Sequence, residues 1–122
     1  MVPPFGSPFN SFHGVLAALD RLQTLDFELL IPGHGRVGTK RDVADFVGLL
    51  RDMESALRDA AKQHGVWPAR GNAAALAEPK VGPVLFAATD ALAPKYHDWQ
   101  GWEHNSLQAL QWVFLYGLYM NE

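Results

Sequence analysis

The feature that most constrains the fold is the stretch Leu29-Leu-Ile-Pro-Gly-His-Gly-Arg-Val-Gly38, where an apolar run stops abruptly at a proline. Residues 26–31, Asp-Phe-Glu-Leu-Leu-Ile, are too few for a typical helix and are rich in apolar side chains. A short apolar run bounded by turn residues is typical of a buried strand. We therefore expect a short β-strand that ends at Pro32.

A histidine lies in the turn that follows this predicted strand. Gly33 and Gly35 permit a tight turn or a positive φ, and Pro32 does not continue a strand ladder. His34 has no bulky neighbour in sequence, so its imidazole can reach a site at the end of the strand as a metal ligand. Taken alone, a histidine between two glycines is more often structural or simply exposed, and one ligand does not make a metal site.

Two amphipathic segments flank this turn. Apolar residues at helical spacing predict a first helix with Phe12, Val15, Leu16, Leu19 and Leu22 on its apolar face. The same spacing predicts a long second helix with Val43, Phe46, Val47, Leu50, Met53 and Leu57 on its apolar face. We expect Thr39 and Asp42 to cap the start of the second helix and Gly65 to end it.

Signals in the C-terminal half are weaker. Short helices are expected near residues 72–77 and 83–92, followed by a terminal helix over residues 106–120. That terminal helix is apolar on nearly all sides, so most of its circumference must be buried.

A local cluster of polar residues lies between the last two predicted helices, at His97, Asp98, Glu103 and His104. A metal site there would need one helix to run through Gly101, which a glycine disfavours. We favour a packed aromatic corner with the polar side chains at the surface, formed by Tyr96, Trp99 and Trp102. His13 and His64 are expected to be solvated.

Composition limits the possible functions. The 122 residues are 48% hydrophobic and 19% charged, which is typical of one soluble globular domain or part of one. A formal charge of −3 gives no basic surface for nucleic acid, and no apolar run approaches the ~20 residues of a membrane span. We expect no targeting segment, and a cytoplasmic location by default. Because the chain has no cysteine, any metal must be bound by His, Asp or Glu.

The order of helix, strand, Pro-Gly-His-Gly turn and long helix over residues 12–57 resembles the C-terminal part of the metallo-β-lactamase-fold hydrolases. The aromatic-rich stretch that follows is more loosely similar to the extra C-terminal helices of some members. The resemblance implies that His34 is the last ligand of a zinc pair or another divalent metal pair. Pro32, Gly33 and Gly35 would then set the geometry of the turn around that ligand.

The family also carries a His-x-His-x-Asp-His signature, a further histidine and a bridging aspartate, all before this turn. None of them is in this sequence, whose histidines include no His-x-His pair. We therefore expect a mainly α chain with a short β-strand, corresponding to the C-terminal part of an α/β sandwich. Its expected parts, in a single or partial domain, are an irregular lead-in (1–10), a helix-strand-turn-helix unit (11–65) and a C-terminal helical extension (66–122).

Two hypotheses for function follow. In the first, the chain is the C-terminal portion of a metal-dependent hydrolase that needs a missing N-terminal portion. It would be inactive alone and would hold no metal stably, because too few ligands are present. In the second, it is a non-catalytic binding or assembly module that self-associates as a homodimer through its aromatic C-terminal helix.

Overall fold

The computed structural model describes residues 12–29, 38–66 and 81–114, and four α-helices lie within these ranges. They are α1 (Phe12–Gln23), α2 (Lys40–Gln63), α3 (Val81–Tyr96) and α4 (Trp102–Val113). The longest helix, α2, packs against each of the other three, and α3 also packs against α4. The described part of the chain is therefore a cluster of helices arranged around α2.

The apolar face of α2 forms the centre of the core, as its spacing predicts. The buried members of the predicted stripe are Val43, Val47, Leu50, Met53 and Leu57. Fully burying one such side chain contributes about 1.5–3 kcal/mol. The Asp20–Arg51 ion pair, which joins α1 to α2 at 3.1 Å, is about half exposed and contributes under about 1 kcal/mol. Apolar packing of α2 therefore contributes more to the stability of this core than the ion pair does.

The first predicted helix is also confirmed. Phe12 and Leu16 are buried, and Val15 and Leu19 pack against the core with partial exposure. The Phe12 ring meets the Trp112 ring of α4 edge to face, with 5.9 Å between their centroids. Residues from the two ends of the described chain therefore share one core.

Both ends of α2 have the expected capping residues. At the start, the backbone N–H of Thr39 donates to the carboxylate of Asp42 at 2.8 Å. At the end, Gly65 has a φ of +65°, a left-handed conformation that glycine adopts most easily. The Val66 N–H then donates to the Ala61 carbonyl at 2.9 Å, which closes a Schellman motif and places Val66 in the core.

The third helix is longer than predicted. Over residues 83–92 a helix was expected, whereas α3 covers Val81–Tyr96 and contains Pro94 in its last turn. A proline there removes the one N–H that would bond to the Asp90 carbonyl. Asp90 and Pro94 both lie on the exposed side of α3, where water can hydrogen-bond to that carbonyl. The helix can therefore continue past the position at which the sequence predicts its end.

The predicted start of the terminal helix is wrong. The helix begins at Trp102 rather than at Ser106, which is buried inside it. Gly101, with a φ of +86°, allows the chain to turn immediately before Trp102. Trp102 is then held in the core at 6% exposure, so the helix starts at this anchored side chain. The part of the prediction after residue 114, and the short helix near residues 72–77, lie outside the described residues.

No strand occurs in the described part of the chain. Residues 26–29, at the start of the predicted strand, have no regular secondary structure, and Leu30 and Ile31 lie outside the described residues. The strand and the sandwich that it implies therefore stay predictions. Among the described helices, none is long and apolar enough to cross a membrane.

Candidate functional site

The predicted metal ligand, His34, lies outside the described residues, as do Pro32, Gly33 and Gly35. The structure does describe the chain on both sides of them. The Lys40 ammonium group lies over the ring of Phe27, 5.3 Å from its centroid. Residues on either side of the Pro-Gly-His-Gly sequence are thus brought together at the junction of α1 and α2.

Each side of this junction also has a local hydrogen bond at a helix end. The Thr39–Asp42 hydrogen bond fixes the first turn of α2 directly after the undescribed stretch. On the α1 side, the Thr24 hydroxyl donates to the Arg21 carbonyl at 2.6 Å, directly after the last residue of that helix. The connection that carries His34 therefore joins two helices that pack together.

The other histidines are at the surface, as predicted for His13 and His64. His97 and His104 are exposed too, together with Asp98 and Glu103. The turn at Gly101 separates these polar residues into two groups, so they do not share one helical face. Within residues 12–29, 38–66 and 81–114, no three His, Asp or Glu side chains are arranged to hold a metal ion.

The predicted aromatic corner is present. The rings of Tyr96 and Trp99 meet edge to face with centroids 4.7 Å apart, and Tyr96 stacks on Trp102 at 6.1 Å. Tyr96 is only 1% exposed. Aromatic contacts of this kind add about 0.5–1.5 kcal/mol beyond the area they bury. The corner therefore fixes the turn between α3 and α4.

Sequence reasoning missed one group of interacting polar residues, Asp52, Lys95 and Tyr96. The Tyr96 hydroxyl donates to Oδ2 of Asp52, and the Lys95 ammonium donates to the same oxygen at 2.9 Å. These contacts join the middle of α2 to the end of α3. The only sequence signal is an aspartate beside the apolar stripe, and its partners lie 43 and 44 residues further on.

The electrostatics of this group favour a structural role. Burial raises the pKa of Tyr96, and the hydrogen bond to Asp52 raises it further, to about 12. Desolvation opposes ionisation of Asp52, but the hydrogen bonds from Tyr96 and Lys95 outweigh it and lower the Asp52 pKa. At neutral pH the phenol is therefore a protonated donor and the carboxylate an ionised acceptor. Neither group has the pKa near neutrality that suits a general acid or base.

No family model, no curated protein and no solved structure matches this chain.

Proposed function

We propose that this chain contributes His34 as a metal ligand to a hydrolase of the metallo-β-lactamase type and corresponds to the C-terminal portion of that fold. The observation that carries the proposal is the Pro-Gly-His-Gly sequence placed between α1 and α2, which pack together. The Lys40–Phe27 contact and the Thr39–Asp42 cap supply anchored ends for the connection. Anchored ends reduce the conformational freedom that a ligand loses when it binds a metal.

The role of each residue follows from its chemistry. Pro32 ends the apolar run, and Gly33 and Gly35 leave the backbone free to turn beside the imidazole. His34 supplies one neutral nitrogen, a common zinc ligand. A bound divalent metal pair would acidify a water molecule for attack on an ester, lactone or thioester bond.

The other ligands are proposed to belong to a portion of the protein that precedes these residues. A zinc site takes three or four protein ligands, and the signature that supplies them in the resembled family is missing from this sequence. We therefore expect the 122-residue chain alone to lose zinc on dialysis and to hydrolyse no ester. Stoichiometric zinc that survives dialysis and is lost in His34→Ala would contradict this incomplete ligand set.

The decisive experiment begins with the gene. If the reading frame continues upstream into a His-x-His-x-Asp-His segment, the encoded protein is purified and its zinc content is measured. His34→Ala should remove about one zinc per chain and abolish hydrolysis. The matched control is His104→Ala, which alters an exposed histidine on α4 and should change neither quantity.

Two outcomes would overturn the proposal. One is an upstream region that contains no such segment in frame. The other is a full-length protein in which His34→Ala, like His104→Ala, leaves the zinc content and the activity unchanged. The first outcome would favour the non-catalytic alternative, and the second would show that His34 is not a metal ligand.

A further inference from the structure

We draw no further inference here: the strongest candidate, the exposed apolar stripe on the outer face of α3 that centres on Phe86, is an unpartnered helix face, and nothing in the described structure shows what covers it.

Discussion

At the residue scale, the hydroxyl of Tyr96 is the single polar atom of an otherwise buried side chain, and it donates to Asp52 across two helices. Tyr96→Phe keeps the ring and its contacts in the aromatic corner and removes only this donor. We expect the free energy of unfolding to fall by about 1 kcal/mol. This loss is smaller than the about 1.5–3 kcal/mol typical of a hydrogen bond to a charged group. The Asp52 side chain is 38% exposed, so water can replace part of the lost bond.

The control for this variant is Lys95→Met, which removes the other donor to Asp52. The Lys95 side chain is 70% exposed, so water screens its ion pair and its removal should cost less than the loss of the Tyr96 hydroxyl. Urea denaturation followed by tryptophan fluorescence measures both variants. A larger loss for Lys95→Met than for Tyr96→Phe would show that this ranking of the two bonds is wrong.

The same contact predicts a dependence of stability on pH. Folding raises the pKa of Tyr96 from 10.0 to about 12, so the folded state holds this proton more tightly than the unfolded state. The resulting stabilisation is complete below pH 10 and is lost as the pH rises towards 12. The difference in unfolding free energy between the wild type and Tyr96→Phe should therefore shrink above pH 10. Urea titrations at a series of pH values test this, and a difference that grows in that range would contradict it.

At acidic pH stability depends on pH in the opposite direction, because folding lowers the pKa of Asp52 below its ordinary value of 3.8. Its contribution to stability is present above that value and is lost as the pH falls through the lower folded-state pKa. Asp52→Asn should therefore be less stable than the wild type at neutral pH and should approach it in acid. A difference that stays constant down to acid unfolding would show that ionisation of Asp52 does not contribute.

At the element scale, alanine substitutions at two glycines of the α2 region should change the free energy of unfolding in opposite directions. Gly65 has a φ of +65°, so Gly65→Ala should lower the free energy of unfolding by about 1 kcal/mol. Gly48 lies inside α2, and an added Cβ there would meet no atom within 4 Å. Gly48→Ala should raise the free energy of unfolding by roughly 0.5–1 kcal/mol, because alanine loses less backbone entropy in a helix.

Both variants are compared by urea denaturation monitored by circular dichroism. An added Cβ at Gly65 also meets no atom within 4 Å, so the two sites differ in backbone conformation rather than in space. Effects of the same sign would show that the left-handed conformation of Gly65 does not control the end of α2.

At the scale of the whole molecule, the structure changes how self-association through the terminal helix is tested. The predicted homodimer used the apolar surface of residues 106–120, but Trp112 and Phe114 are buried within their own chain. Phe114→Arg would therefore place a charge in the monomer core and unfold it. Leu107→Arg, at an apolar position of α4 that is 41% exposed, is the better variant for testing association.

Size-exclusion chromatography with light scattering at micromolar protein measures the association directly. We expect a dimer for the wild type and a monomer with unchanged helicity for Leu107→Arg. An unchanged dimer in Leu107→Arg would show that this exposed position of α4 is not part of the interface. A compact wild-type monomer would contradict the proposed homodimer.

The sequence by itself determined the features that depend on neighbours within a few residues. The apolar spacing predicted α1 and α2, because one helical face must be buried wherever the helix packs. The cap formed by Thr39 and Asp42 and the helix end at Gly65 were also predictable. The free backbone groups of a helix end find hydrogen-bond partners within about one turn. The Pro-Gly-His-Gly turn was proposed as a site from sequence pattern alone.

Only the tertiary structure decided the contacts between distant residues. The Asp52–Tyr96 bond and the contact of Phe12 with Trp112 depend on how whole helices pack, which no local spacing encodes. The start of α4 was misplaced because Trp102 is fixed by Tyr96 from the preceding helix, a contact that outweighs the local signal at Ser106. Burial of Trp112 and Phe114 likewise depends on the neighbouring helices, because the surface that covers an apolar helix belongs to the elements that pack against it.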